Sequence, residues 1–199
     1  MKYMIEKLKE RIQRVIEVND ALWSKIKTNS TILELKKNEV LIPYGDSNKN
    51  VYIILSGCLE SSLRMADGKF HSVWFYFENF FDIAVAMDSY FMDEPTKYQF
   101  KALEKTTLVV QKKEVVDTWL ENDLNFNRFY RKDITQHLTL IYEINAYRLA
   151  NSPMDFFSYL NTRHKSLFSR IPANKMANFI GISPEWFSKL QKKKGRNQG

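Results

Sequence analysis

The chain has 199 residues, of which 44% are hydrophobic and 14% aromatic, and it contains one Cys. This length suits one large domain or two small ones, and the hydrophobic content excludes a disordered chain. A single Cys excludes internal disulfides and favours a reducing setting. The charged N-terminus lacks the apolar core of a signal peptide, and the longest uncharged apolar stretch, 73–77, is too short to span a membrane. We therefore expect a cytoplasmic protein without a membrane partner.

The net charge of +7 is concentrated at one end of the chain. Residues 163–199 contain nine Lys and Arg and one acid, Glu185, whereas residues 1–162 contain 21 basic and 22 acidic residues. A solvated Lys-rich tail is the ordinary interpretation of such a segment, and a nucleic-acid-binding module is the alternative. The residue pattern inside the segment has to decide between the two.

Two helices and then a strand-rich region are predicted in the first 112 residues. Apolar residues recur every three or four positions over 3–27, and Asn19-Asp20 is expected to divide this segment into two helices. Turn signals such as Asp67-Gly68, which suits a two-residue hairpin loop, then separate short β-rich runs. The predicted strands are 31–35, 40–42, 51–55, 58–65, 70–77, 98–102 and 106–111. Many short strands at this spacing predict a small barrel, jelly roll or sandwich.

Helical periodicity returns from residue 114 to residue 150. A short helix is predicted over 114–121, and a long one runs from Asn122-Asp123 to Ala150 without Gly or Pro. At about 1.5 Å per residue the long helix spans roughly 40 Å, which is more than one small barrel covers. It either packs on its own barrel or, as we favour, forms a homodimer in which His137 or Asn145 sets the register. The residues predicted for this dimer helix are Tyr130, Ile134, Leu138, Ile141 and Asn145.

A third region follows the predicted hinge at Asn151-Ser152-Pro153. A helix over 153–162 and a basic connector over 163–171 lead to a short helix that ends at Gly181, and Ser183 then caps a second helix. An ordinary helical hairpin would explain this order, but a helix-turn-helix, whose second helix enters the DNA major groove, explains the charge as well. Trp186, Phe187 and Leu190 are expected to face the core, and Lys189 and Lys192–Lys194 to face outward.

The order of these segments resembles the superfamily of the cyclic-AMP receptor protein and the fumarate-nitrate reduction regulator (Crp/Fnr), which are bacterial transcription regulators. Val51-Tyr52-Ile53-Ile54-Leu55-Ser56-Gly57 is similar to that family's barrel signature, and 177–189 is similar to its helix-turn-helix. Residues 39–46 match the family's strand and turn before that signature, and Ala102-Leu103-Glu104 before Thr106 matches the strand after its ligand cassette. The resemblance therefore covers about residues 20 to 194.

The resemblance implies an α+β fold in three parts. Residues 1–112 would form the N-terminal helices and a cyclic-nucleotide-binding-type β-roll, which is a double-stranded β-helix or jelly roll. Residues 113–150 would form connecting and dimerisation helices. Residues 151–199 would form a helix-turn-helix domain without a full wing, because the usual wing hairpin is missing or replaced by the basic stretch Lys192–Arg196.

The resemblance also implies which residues contact DNA. Ser183 would bind phosphate, Glu185 would accept a hydrogen bond from cytosine, and Lys189 would donate to guanine. Pro184 stands where the receptor protein has Arg, so a different target sequence is expected. The predicted DNA-binding residues are Ser183, Pro184, Glu185, Lys189, Lys192, Lys193, Arg170 and Lys175.

The family's ligand cassette needs a Gly-Glu pair for the ribose and Arg-Ser for the cyclic phosphate. Asp82 and Lys97 stand near the matching positions and could hold a ribose hydroxyl and a phosphate, but neither offers the paired donors of Arg, so tight binding of cyclic AMP is not expected. Another effector would lie between the barrel and the long helix, although the aromatic residues there, Phe100 included, are by default barrel core. The predicted pocket residues are Phe77, Phe81, Asp82, Thr96, Lys97 and Tyr98.

No cofactor, metal or enzymatic activity is expected. Cys58 alone cannot hold an iron–sulfur cluster, and His71 and His137 are isolated, so they are poor haem or metal ligands. No paired His, Ser/His/Asp set or Gly-rich phosphate loop supports catalysis. The leading hypothesis is a dimeric, sequence-specific regulator that binds double-stranded DNA, with RNA polymerase as a further partner and a β-roll that senses a small effector or acts as a scaffold. The alternative is an effector-binding or protein-interaction module with weak, non-specific DNA binding.

Overall fold

Two helices open the chain in the computed structural model, which describes residues 2–14 and 17–196, with side chains described for 6–14 and 17–192. They are α1 (Lys2–Gln13) and α2 (Asp20–Thr28). Asn19 caps α2, since its side chain accepts a hydrogen bond from the Leu22 N–H at 2.8 Å. The predicted break between two N-terminal helices is therefore present.

Within the described residues, eight strands and one short helix follow. The strands are β1 (Thr31–Leu35), β2 (Val40–Ile42), β3 (Asn50–Ser56), β4 (Cys58–Arg64), β5 (Phe70–Phe77), β6 (Ile83–Ala84), β7 (Tyr98–Ala102) and β8 (Thr106–Lys112), and α3 (Met87–Met92) lies between β6 and β7. They pair antiparallel in two sheets, with the orders β1-β8-β3-β6 and β2-β7-β4-β5. This is the predicted β-roll. The prediction missed β6 and α3, because a two-residue strand and a six-residue helix carry too little periodicity.

Two glycine turns shape the roll. Gly68 has a φ of +81° in the β4–β5 hairpin, where the Asp67 carboxylate accepts from the Lys69 N–H at 3.0 Å, as predicted for Asp-Gly. Gly57 has a φ of +97° between β3 and β4, and a Cβ there would lie 2.5 Å from the Cα of Thr106. The close approach of β8 to this turn therefore requires a glycine.

Six helices complete the described part of the chain: α4 (Lys113–Asn122), α5 (Leu124–Ala150), α6 (Pro153–Arg163), α7 (Lys165–Arg170), α8 (Ala173–Ile180) and α9 (Pro184–Arg196). Ser152 caps α6, as the sequence predicted, and Asp123 caps α5 by accepting hydrogen bonds from the N–H groups of Asn125 and Phe126. The predicted connector after α6 is itself helical in α7. Helix α9 extends to residue 196, the last residue that the structure describes.

Helix α8 packs directly on the β-roll. The ring of Phe179 in α8 lies 6.0 Å from that of Trp74 and 5.4 Å from that of Phe75, measured between centroids. The Ser72 N–H of β5 donates to Asn178 Oδ1 at 2.6 Å. One hydrophobic core therefore extends from between the sheets into the C-terminal helices, and Cys58 lies fully buried within it, as expected of a structural thiol. A second core packs α1, α2 and α4 against the roll.

Candidate effector cavity and DNA-binding helices

A cavity of about 310 Å³ lies between the β-roll and α5, and we call it the effector cavity. The strands contribute mainly apolar side chains, among them Val51, Ile53, Val73 and Phe100, and α1, α3 and α4 close its sides. Several predicted residues line it: the pocket residues Phe81 and Tyr98, and the α5 residues Tyr130, Ile134, Ile141 and Asn145. The predicted place of an effector site, between the barrel and the long helix, thus coincides with a cavity.

Three predicted pocket residues, Phe77, Thr96 and Lys97, lie outside this cavity. Phe77 is buried, with its ring stacked on that of Phe80 at 4.9 Å. The buried Thr96 donates through its N–H to the Asp46 carbonyl at 2.8 Å. The Lys97 ammonium points outward to Glu94 at 3.3 Å, with two thirds of its side chain exposed. The chain before β7 lies away from the cavity. A position that matches the family's ligand cassette in sequence therefore did not predict which side chains line the cavity.

Asp82 also differs from its predicted role, because it belongs to a buried ion network with Arg11, Asp133 and His137, which we call the Arg11 network. Arg11 Nε lies 2.6 Å from Asp82 Oδ2, and Arg11 Nη2 lies 3.1 Å from Asp133 Oδ2. His137 Nε2 lies 3.4 Å from Asp82 Oδ1. Burial alone would raise the pKa of Asp82, but the hydrogen bonds and charges of His137 and Arg11 hold it well below its ordinary value. An ionised Asp82 that is already paired has little capacity left for a ribose.

The helix-turn-helix pattern is present in α8 and α9. Gly181 has a φ of +84° and its N–H donates to the carbonyls of Ala177 and Asn178, which ends α8. Ser183 Oγ accepts from the Trp186 N–H at 3.2 Å, which caps α9. Hydrogen bonds that its carboxylate accepts from its own backbone N–H and from the Ser183 hydroxyl lower the pKa of Glu185 in the first turn of α9. Both devices that the sequence predicted for the turn are therefore in place.

The outer face of α9 is exposed. Phe187 and Leu190 are buried against α8, as predicted, and the predicted DNA-binding residues Ser183, Pro184, Glu185, Lys189 and Lys192 are all exposed. Trp186 was expected to face the core, but its side chain is 42% exposed, because the 3.6-residue period places it beside the buried face formed by Phe187 and Leu190. The side chain of Lys193 lies outside the described residues.

The two remaining predicted DNA contacts point to the β-roll instead. Arg170, at the end of α7, lies 2.5 Å from Glu104 Oε1 and 3.1 Å from Glu78 Oε1, and it donates to the Gly57 carbonyl at 3.0 Å. Lys175 Nζ of α8 lies 2.8 Å from Glu60, a carboxylate that is almost fully buried in β4. In this conformation both cations connect the C-terminal helices to the roll through ion pairs, and their predicted contacts with DNA stay a prediction. The acids that hold them lie about 65 to 115 residues away in the chain, beyond the reach of local patterns.

One face of α5 carries exposed apolar side chains. Leu138 is 65%, Tyr142 76% and Leu149 83% exposed, and Ile134 is 38% exposed. Ile134, Leu138 and Tyr142 are four residues apart and Leu149 follows after seven, or two helical turns, so all four lie along one side of the helix. The opposite side, with Phe129, Asp133 and Ile144, is buried against the same chain. The helix thus has the two-sided apolar character from which the dimer was predicted.

Residues 32–123 match the model of the cyclic nucleotide-binding domain. The matched segment runs from β1 through α4. No curated protein sequence matches the chain.

Within residues 2–14 and 17–196, no helix combines the length and apolar character that a membrane span requires. The same residues contain no group of three or more His, Cys, Asp or Glu placed to bind a metal ion.

Solved structures extend this domain match to the whole architecture. FixK2 from Bradyrhizobium japonicum superposes with a TM-score of 0.68 at 13% identity, over 85% of this chain and 86% of that chain. The c-di-GMP-responsive global regulator CLP from Xanthomonas campestris does so with a TM-score of 0.65 at 11% identity, over 90% and 93%. A Crp/Fnr-family regulator from Eubacterium rectale gives 0.64 at 14%, over 88% and 83%. The predicted fold of the Crp/Fnr regulators is thereby confirmed.

Proposed function

We propose that the chain is a homodimeric, sequence-specific DNA-binding transcription regulator, and that a small molecule in the effector cavity controls it. The observation that carries this proposal is the geometry of α8 and α9. A capped second helix leaves a glycine turn and presents Glu185, Trp186, Lys189 and Lys192 on one exposed face. This is the form in which a helix-turn-helix presents side chains to the major groove.

The exposed stripe on α5 supports the homodimer. Leu138, Tyr142 and Leu149 would be covered by the same stripe of a second chain, in the manner of a two-stranded coiled coil. Ile134 lies both at the edge of this stripe and in the wall of the effector cavity. A second chain would therefore also close one side of the cavity, so occupancy of the cavity and dimer packing would influence each other.

Binding sites selected from random DNA test this function. The dimer should return a palindrome whose half-sites lie about 10 bp apart. Lys189→Ala is expected to change the preferred base at one position in each half-site, whereas Lys192→Ala, a neighbouring exposed Lys on the same helix, should weaken binding to all sequences and reduce its salt dependence. If no motif is enriched at moderate salt, or if the two variants behave alike, sequence-specific recognition by α9 is contradicted.

A second function is favoured by the ion pairs of Arg170 and Lys175. Because these cations are held by Glu60, Glu78 and Glu104, fewer positive charges remain for DNA phosphates in this conformation. An effector-binding or interaction module with weak, non-specific DNA binding would have this property. The selection experiment separates the two functions, since this module enriches no motif. RNA polymerase remains a partner expected from the family resemblance.

A further inference from the structure

The walls of the effector cavity favour an apolar ligand body. Side chains from β3, β5 and β7, such as Ile53, Val73 and Phe100, face Ile141 of α5 across the cavity. Most of the lining surface is apolar, and apolar walls select a ligand mainly by the surface that it removes from water. A ligand rich in hydroxyl or amine groups would lose hydrogen bonds to water there without replacing them.

Most polar groups in the lining are already paired within the chain. Arg11 is held by two carboxylates in the Arg11 network. Gln111 Nε2 donates to Ser30 Oγ at 3.2 Å, and the Tyr76 hydroxyl donates to Ser61 Oγ at 3.2 Å. These groups are satisfied in the structure, so they do not require a polar ligand.

Arg148 is different. It lines the cavity from the last turns of α5, and its Nη2 donates to Asn145 Oδ1 at 2.7 Å. Among the described residues no carboxylate lies within 4.0 Å of this guanidinium. A guanidinium has five N–H donors arranged to bind a carboxylate through two parallel hydrogen bonds. Arg148 is therefore a half-buried cation with free donors at one end of an apolar cavity.

Trp74 adds a second unsatisfied donor at the same end. Its indole lies 6.0 Å and the Arg148 guanidinium 5.8 Å from the ring of Phe179. The Trp74 indole N–H is buried and has no hydrogen-bond acceptor in the described part of the chain. A buried donor without an acceptor is destabilising, so this end of the cavity favours an incoming acceptor.

The charged side chains around the cavity favour a ligand that carries a single negative charge. Asp133 also lines it, and the Arg11 network holds two carboxylates against one Arg. A ligand with two negative charges would meet this acidic side, and only Arg148 would offset it. From these observations we propose that the effector is an apolar monocarboxylate, whose carboxylate pairs with Arg148 and whose hydrocarbon body fills the space between the roll and α5. This inference rests on the proposed effector-controlled function and defines the chemical class of the effector.

Such a ligand would act on the DNA-binding helices directly. Arg148 and Trp74 both contact Phe179, which belongs to α8. A carboxylate on Arg148 would draw its guanidinium from the face of the Phe179 ring. The contact between α8 and the roll would then depend on whether the cavity is occupied.

Calorimetry on the full chain tests the class of ligand. The probes are decanoate and naphthoate, their neutral amides decanamide and naphthamide, and cyclic AMP. At least one acid is expected to bind once per chain and about tenfold or more tightly than its amide, because only the acid forms a charged pair with Arg148. Arg148→Gln should remove this preference and leave amide binding unchanged, Arg148→Lys should retain part of it, and Arg163→Gln, an exposed Arg on α6, should have no effect.

Several outcomes overturn the proposal. They are no binding of either acid, equal binding of acid and amide, a preference that survives in a folded Arg148→Gln variant, or binding of cyclic AMP that is tighter than that of both acids. The DNA selection experiment distinguishes a failure of the proposed function from a failure of the proposed effector class. If a palindrome is enriched but no acid binds, only the effector class is wrong. If an acid binds through Arg148 but no DNA motif is enriched, the cavity is a ligand site in a protein that is not a sequence-specific regulator.

Discussion

Replacement of Arg11 by Met is expected to destabilise the protein strongly, because Arg11 is the cation between two buried carboxylates. The side chains of Arg11, Asp82 and Asp133 are 10%, 17% and 9% exposed, and Arg11 makes two hydrogen bonds to each Asp. Removal of one partner of a buried ion pair costs about 3–5 kcal/mol, since the remaining charge is left without compensation. At about 2–4 °C per kcal/mol for a chain of this size, the melting temperature should fall by roughly 6–20 °C.

The pH dependence provides a sharper test of the same variant. In the wild type the pKa of Asp82 is lowered, so the network contributes its full stability above the unfolded Asp pKa of about 3.9 and loses it as the pH falls through the folded value. Without Arg11 the folded pKa of Asp82 rises towards or above the unfolded one, and protonation relieves the unpaired charge. The difference in stability between wild type and Arg11→Met should therefore be largest above about pH 5 and shrink as the pH falls below about 4.

Thermal unfolding followed by circular dichroism at several pH values measures both effects. Arg14→Met is the matched control, because Arg14 is exposed and donates only to the side chain of Asn79, at 2.8 Å, among the described contacts. This control should change stability by no more than about 0.5 kcal/mol. Equal melting temperatures for the two variants, or a difference that does not vary with pH, would refute the reasoning.

Three further predictions concern the turn, the docked helices and the dimer. Gly57→Ala should lower the free energy of unfolding, measured by chemical denaturation, by about 2–5 kcal/mol, because the left-handed backbone is strained and the new Cβ clashes with β8. Gly45→Ala, with the same sign of φ but open space around it, should lower it by about 1–2 kcal/mol. Equal losses for the two variants would exclude the clash. Lys175→Met leaves the buried Glu60 without its ion-pair partner, so with partial solvent screening the free energy of unfolding should fall by about 1–3 kcal/mol. An unchanged free energy of unfolding would contradict the docked position of α8. Leu138→Lys should shift sedimentation from dimer to monomer, and an unchanged dimer would show that this stripe of α5 is not the interface.

The sequence alone determined the elements whose causes are local. Strand runs with turn residues between them, the caps at Asn19 and Ser152, and Gly181 between α8 and α9 were all predicted and are all present. Turn chemistry and helix capping depend on a few neighbouring residues, so a single sequence contains the necessary information. The resemblance to Crp/Fnr regulators then ordered these elements into the correct fold.

Only the tertiary structure decided which charged groups meet. Arg11 pairs with carboxylates 71 and 122 residues away, and Lys175 meets Glu60 across the boundary between the roll and the C-terminal helices. These partners are set by how the helices dock on the sheets, and docking leaves no periodic signal in the sequence. For the same reason Asp82 and Lys97 were predicted to hold a ligand, and the sequence did not point to Arg148. This side chain, at the end of a helix predicted only for dimerisation, lines the cavity as a second cation beside Arg11.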